Sequence, residues 1–187
     1  MGQFQHHLLI ATPAMDDPFF RESVIYLCEH NSDGAMGLML NRITDTSIAE
    51  LVSKMNFMMA DKREIADNAM VLLGGPVSLE KGFVLHSKCI PPFQRSDAIG
   101  HDIWLTSSMD VLETLGKANA PEHYLVAIGC CSWAAGQLEA EIRQNMWLVA
   151  PFEQRILFDT PYQERWQSAV ELLGIAPEDL AYQGGIA

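Results

Sequence analysis

The sequence predicts one α+β domain over residues 1–187, and three observations carry that expectation. Strand-like and helix-like segments alternate without a βαβα rhythm, one strand pair is joined directly by a tight turn, and no composition shift, linker, low-complexity tract or internal repeat divides the chain. Hairpins mixed with helices argue against a doubly wound parallel sheet, so a mostly antiparallel sheet with peripheral helices is expected. With 187 residues and 49% hydrophobic content, the chain can bury a core without a metal or a disulfide.

His7 to Ala11 reads as a first strand, ended by Pro13. The segment Pro13 to Pro18, with two prolines and two aspartates, is a turn-rich connection. Ser23 to His30 carries Val24, Ile25 and Tyr26 and is a strand by composition. Asn31 to Gly34 (NSDG) then closes a hairpin onto Ala35 to Asn41, with Asp33 and Gly34 as its turn residues. Ser47 and Glu50 form a capping box for a helix ending near Phe57, whose Ile48, Leu51, Val52 and Met55 recur at helical spacing. Met55, Met58 and Met59 read as core-filling side chains, and Asp61 to Asn68 as a solvated turn.

Met70 to Leu73 is a strand broken by Gly74, Gly75 and Pro76, and Gly82 to His86 is another. Pro91 to His101 is irregular, and Ile103 to Leu105 is strand-like. Ser107 with Asp110 opens a helix that turns Met109, Leu112 and Leu115 inward. His123 to Ile128 is a buried strand, Gly129 to Gly136 a Trp-containing bend, and Met146 to Val149 a strand. Thr160 as cap, Pro161 at the first position and Gln163 completing the box start a last helix. Its core stripe is Trp166, Ala169, Val170 and Leu173, and Gly174 stops it.

Lys and Arg total 12 against 24 Asp and Glu, a formal charge of −12, so direct nucleic-acid binding is disfavoured. The one basic pair, Lys62 and Arg63, is flanked by Asp61 and Glu64. Cys28, Cys89, Cys130 and Cys131 lack metal-ligand spacing, which implies no structural zinc, and adjacent Cys130 and Cys131 read as buried, inert thiols. The start lacks a basic region and a long apolar run, and no stretch reaches membrane-spanning length. The expected location is the cytoplasm, with thiols reduced.

The richest chemistry lies in Gly136 to Pro151, GQLEAEIRQNMWLVAP, where a short polar helix runs into an apolar strand. Leu138 and Ile142 face inward, Glu141 and Asn145 lie along the margin, Gln137 and Glu141 are hydrogen-bonding neighbours, and Glu139 pairs with Arg143 on the surface. Glu141 is read as a structural brace, with a site role as the alternative. That alternative lines a pocket with Arg42, Trp133, Gln137, Glu139 and Glu141, Arg42 being a partner for Glu141 or for a ligand carboxylate. Glu29 and His30, adjacent on a strand, point to opposite faces. No phosphate loop, dinucleotide fingerprint, nucleophile elbow or metal-binding helix motif is present, and Cys130 or Cys131 with His86 or His123 has no supporting spacing. No cofactor is implied.

Several ordered motifs nevertheless form a pattern across nearly the whole chain. LLIATPAMDDPFFRESVIYLCEH (Leu8 to His30), GAMGLMLNR (Gly34 to Arg42), GGPV (Gly74 to Val77) and FVLH (Phe83 to His86) are its first half. LTSSMDVLETL (Leu105 to Leu115), WAAGQLEAEIRQNMWLVAP (Trp133 to Pro151) and DTPYQERWQSAVELLGI (Asp159 to Ile175) complete it. Together they resemble the YqgE/AlgH family of uncharacterised bacterial proteins. The resemblance implies one domain whose strands curl into a barrel-like sheet with helices around it. Some members carry the label of transcriptional regulator, yet no DNA-reading module is visible here. The expected function is therefore a non-enzymatic accessory or regulatory role through a protein partner, the alternative being a small-molecule-binding protein or enzyme at the Arg42 and Glu141 pocket.

Overall fold

The structure is a computed structural model that describes residues 3–55, 65–66 and 68–183. The expected helix end near Phe57, Met58 and Met59 and most of the Asp61 to Asn68 turn lie outside the described residues. In chain order the strands are β1 His7–Ala11, β2 Val24–Asn31, β3 Gly34–Met39, β4 Ile43–Ser47, β5 Met70–Leu73, β6 Val77–Ser87, β7 Ser96–Ala98, β8 Ile103–Thr106, β9 Tyr124–Ala134 and β10 Trp147–Pro151. The helices are α1 Ile48–Lys54, α2 Gln137–Arg143, α3 Gln154–Phe158, α4 Arg165–Glu171 and α5 Pro177–Gln183, with 3-10 turns at Met109–Thr114 and Tyr162–Glu164. The class is α+β with mostly antiparallel pairing, as the sequence predicts. Contacts gather into two compact units, Met1–Arg42 with Cys130–Ala187, and Ile43–Gly129.

The first unit holds the strand order β10-β1-β2-β3-β9, antiparallel throughout. The NSDG hairpin forms with Asn31 paired to Gly34, so the turn residues are Ser32 and Asp33, and Gly34, expected in the turn, instead opens β3. Pairing places Leu9, Ala11, Ile25, Leu27, Ala35, Met39, Cys131, Trp133 and Trp147 on one face, and these side chains form a buried cluster with Leu138 of α2. Each large aliphatic side chain so buried contributes about 1.5–3 kcal/mol. Gly37 shares that face, where a Cβ would stand 2.7 Å from Ile25 Cγ2 and 2.9 Å from the Tyr26 carbonyl. The opposite face carries Leu8, Ile10, Val24 and Tyr26, all fully buried, and α4 packs against β1 and β2.

The alternation of β2 is interrupted once, by a bulge at Cys28 between Leu27 opposite Gly37 and Glu29 opposite Met36. The extra residue puts His30, opposite Ala35, on the face of Ile25 and Leu27, and leaves Glu29 exposed. On α4, Ala169 and Val170 are fully buried and Trp166 is half-buried as expected, while Leu173, also half-buried, lies past the helix end at Glu171. Arg165 of the same helix is also buried, donating from Nε to the Thr160 carbonyl (3.0 Å) and from Nη1 to the Leu40 carbonyl (2.6 Å), with its guanidinium over the Tyr162 ring. Burial lowers its pKa to about 10, so it stays charged at neutral pH.

Thr160 does not cap the last helix. Its hydroxyl donates to the Arg155 carbonyl and closes α3, which the apolar pattern had not revealed, and the expected box with Gln163 does not form. The expected bend from Gly129 to Gly136 is also corrected, because β9 continues to Ala134 through pairing with β3. Only Ala135 and Gly136, the latter at φ +73°, separate that strand from α2.

In the second unit β4 pairs antiparallel with β5, β5 pairs parallel with the first half of β9, and β6, β8 and β7 form an antiparallel ribbon. The Ser47 and Glu50 capping box is complete, with both reciprocal hydrogen bonds. Ile48 and Val52 of α1 pack with Val71, Val84, Val111, Leu112, Leu115 and Val126, while Leu51 and Met55 flank this core. The Met109–Thr114 element is a 3-10 turn that follows Ser108, not Ser107, and Met109 points outward at 48% exposure. Three-residue periodicity there buries Val111 instead.

Gly129 sits in β9 at φ +68°, where a Cβ would stand 2.6 Å from the Gly75 carbonyl and 2.9 Å from Leu79 Cδ2. Two backbones meet there, so a side chain is excluded by space as well as by conformation. Gly129→Ala is expected to cost about 2 kcal/mol or more and to lower Tm by roughly 4–8 °C. An unchanged thermal unfolding midpoint would show that β9 tolerates a side chain at this position.

Candidate functional site

Glu141 is half-buried near the middle of α2, between the two strands that flank that helix. Its Oε2 accepts from Trp133 Nε1 of β9 at 2.9 Å and from Trp147 Nε1 of β10 at 2.7 Å, and its Oε1 accepts from Gln137 Nε2 at 2.9 Å. The two indole rings meet edge to face with centroids 6.0 Å apart. Gln137 in turn accepts from the Ala134 backbone at 3.0 Å, and Met146 N donates to the Glu141 carbonyl at 3.0 Å. Both carboxylate oxygens are thereby committed to protein donors. The geometry is that of a brace, and it ties α2 to the strand before it and the strand after it.

This brace also constrains the sheet. β9 and β10 end the path β10-β1-β2-β3-β9, and four strand spacings of about 4.8 Å would hold them about 19 Å apart in a flat sheet. Two indoles sharing one oxygen are much closer than that. The sheet of the first unit therefore curls, with α2 and the two tryptophans on its inner face.

Glu139 makes no direct ion pair with Arg143 among the described residues, although that guanidinium still helps to lower its pKa. Its Oε1 accepts from His30 Nε2 at 2.9 Å, and His30 Nδ1 accepts from the Phe4 backbone N–H at 3.3 Å. The two contacts assign the proton to Nε2 in the neutral ring. The Glu139 carboxyl is held below the ordinary range, first by its own backbone N–H and then by His30. His30 is buried and faces α2 because of the bulge at Cys28, and this second tie fixes the helix to β2.

Arg42 is not part of this cluster. It is exposed, and its Nη2 donates to the Arg21 carbonyl at 2.8 Å, with no ion pair to Glu141 among the described residues. Of the five expected site residues, the structure thus unites Trp133, Gln137 and Glu141, sends Glu139 to His30, and places Arg42 elsewhere. Trp147 and His30 are the partners that sequence reasoning missed. A buried tryptophan needs an acceptor for its N–H, and an acid near two tryptophans was the available signal for Trp147. Nothing local marked His30, whose orientation depends on the bulge.

Several other reactive groups are buried or engaged. Burial raises the Cys28 and Cys131 thiol pKa values, so these thiols stay protonated at neutral pH. His86 in the second unit is buried, with Nδ1 donating to the Ser87 carbonyl and Nε2 accepting from Thr106, both at 2.7 Å. Thr106 Oγ1 also meets Ser96 Oγ at 2.5 Å. Desolvation lowers the His86 pKa and keeps the ring neutral. Among the described residues, no group of three or more His, Cys, Asp or Glu side chains could hold a metal ion.

Glu141→Leu strands two indole donors at about 1–3 kcal/mol each, so a loss of about 2–6 kcal/mol in urea unfolding is expected. Glu141→Gln keeps one acceptor and is expected to lose less; equal stability of wild type and Glu141→Leu would sink the brace. For His86, the unfolded state takes up a proton at the ordinary value of about 6.5, above the folded state's lowered value. Stability should therefore fall as pH drops from about 6.5 toward that lowered value. His86→Gln should remove that share of the slope in urea midpoints measured across the window.

The AlgH-like family pattern matches residues 8–178. A UPF0301 protein of Pasteurella multocida is 52% identical over 185 residues, covering 99% of each chain, and one of Mannheimia succiniciproducens is 51% identical over 183 residues, covering 98% of each. The solution structure of the AlgH protein from Pseudomonas aeruginosa is similar over 100% of both chains, with a TM-score of 0.76 and 37% identity. A crystal structure from Corynebacterium diphtheriae, at 17% identity and TM-score 0.74 over 100% of this chain and 94% of that one, shares the fold. Whole-length identity, the matched pattern and the common fold agree, and the chain belongs to the AlgH-like family of UPF0301 proteins.

Proposed function

We propose that this protein is a non-enzymatic accessory or regulatory protein of the cytoplasm that acts by docking a protein partner through its second unit. One observation carries the reading. Ile43, Val77, Leu79, Ile90 and Met109 are the exposed large hydrophobics among the described residues, between 41% and 85% exposed, and all five lie within 43–129. Exposed apolar side chains that gather into one patch mark an interaction surface, and Val77 and Leu79, two residues apart on β6, are the pair on which this reading centres. The carboxylate, histidine and thiols described above are engaged in structure or held protonated, which supports a binding role over a catalytic one.

The charge of −12 favours a partner with a basic rim and disfavours direct reading of DNA. No described helix is long and apolar enough to cross a membrane. The reading of an Arg42 and Glu141 pocket loses its support, since Arg42 is anchored at Arg21.

The test compares tagged full-length protein with a Val77→Glu, Leu79→Glu double variant of matched Tm in pull-downs at about 0.15 M salt. Wild type is expected to retain a stoichiometric protein that the variant releases. Recovery of no stoichiometric protein, or equal recovery by both forms, would overturn the proposal.

A further inference from the structure

A cavity of about 260 Å³ in the first unit is lined by Ala11, Thr12, Pro13, Arg21, Glu22 and Trp166. The polar atoms of one wall are already used. Trp166 Nε1 donates to the Ala11 carbonyl at 3.0 Å, so the indole lines the wall beside Ala11 and Pro13 with its polar edge satisfied. Thr12 Oγ1 donates to the Asn145 carbonyl at 2.5 Å and accepts from Ala14 N at 3.1 Å.

The other wall is formed by Arg21 and Glu22, both exposed, whose opposite charges are not spent on each other. Arg21 and Glu22 are adjacent in sequence, yet neither enters an ion pair among the described residues. Their backbone is held from the end of β3. Asn41 Nδ2 donates to the Glu22 carbonyl at 2.7 Å, Arg42 Nη2 donates to the Arg21 carbonyl at 2.8 Å, and Asn41 Oδ1 accepts from Val24 N at 3.0 Å. Glu22 is kept at φ +51°, a conformation costly for a residue with a side chain unless its surroundings enforce it.

A small space with an apolar wall and with Arg21 and Glu22 at its edge suits a ligand that carries a carboxylate, an ammonium group and an apolar side chain. We propose that this cavity binds a small zwitterion of the amino-acid class, its carboxylate on Arg21, its ammonium on Glu22 and its side chain against Trp166 and Pro13. The volume lies below the range of drug-sized pockets and suits a ligand of amino-acid size. The site is separate from the apolar side chains of the second unit and stands or falls independently of the partner proposal.

The test titrates the full-length protein with L-leucine and L-phenylalanine and follows the Trp166 indole N–H resonance by NMR. Saturable shifts below about 10 mM are expected. L-leucinamide, which lacks the carboxylate, and N-acetyl-L-leucine, which lacks the ammonium, should each bind about tenfold more weakly or worse. Arg21→Gln and Glu22→Gln should lose a similar factor with Tm unchanged, and the analogue series gives the answer even if a variant fails to fold. Absence of a saturable shift with either amino acid, or equal binding of the three leucine compounds, would overturn the proposal.

Discussion

Two indole N–H groups, from strands at opposite ends of a five-strand path, meet at one oxygen of Glu141, and the curl of the first unit follows from that meeting. The hydrophobic effect alone is non-directional and would accept many curvatures that bury the same aliphatic side chains. A shared acceptor is directional. It sets which residues of β9 and β10 face each other across α2, and it explains why the inner face uses Ala11, Ala35 and Gly37 where a bulkier side chain would crowd the concave surface. The indoles supply apolar bulk and the carboxylate satisfies their only polar atoms, so Trp133 and Trp147 are buried without an orphan donor.

The other polar contacts of this unit act in the same way. His30 reaches Glu139 only because the bulge at Cys28 shifts the alternation of β2 by one residue, which turns His30 toward α2 and Glu29 to solvent. Arg165 performs the equivalent task on the opposite face, joining α4 to the carbonyls of Leu40 and Thr160. A buried guanidinium with carbonyl and aromatic partners repays its desolvation only in a well-fixed geometry. Each of these groups fixes where a helix sits on the sheet.

The parts of this architecture legible in the sequence are those governed by local chemistry. The hairpin at NSDG, the capping box of Ser47 and Glu50 and the Leu138 face of α2 follow from neighbouring residues and are present as expected, whereas Gly174 takes the left-handed conformation of a stop although α4 already ends at Glu171. The misread features depend on distant pairing. Residues 129–134 have bend-like composition yet form strand because β3 runs beside the later part of them, and Thr160 has a cap's sequence context yet bonds backward to Arg155. The site divided along the same line. Gln137 with Glu141 is a helical neighbour pair and was visible, whereas Trp147 across the helix, His30 across a bulge and the absence of Arg42 required the tertiary fold.

Gly129 links the second unit's backbone to its exposed apolar surface. The close approach that excludes a Cβ there is made by the Gly75 and Val77 carbonyls and by the Leu79 side chain. Val77 and Leu79 are therefore positioned by a backbone packed directly against β9, although both remain exposed. Side chains presented from such a fixed strand lose less freedom on association than side chains on a mobile loop, which lowers the entropic cost of docking. In the first unit the inner-face polar groups brace the fold; in the second, Val77 and Leu79 stay exposed on a backbone that packs against Gly129. The proposed docking surface would draw on that presentation and on no reactive group.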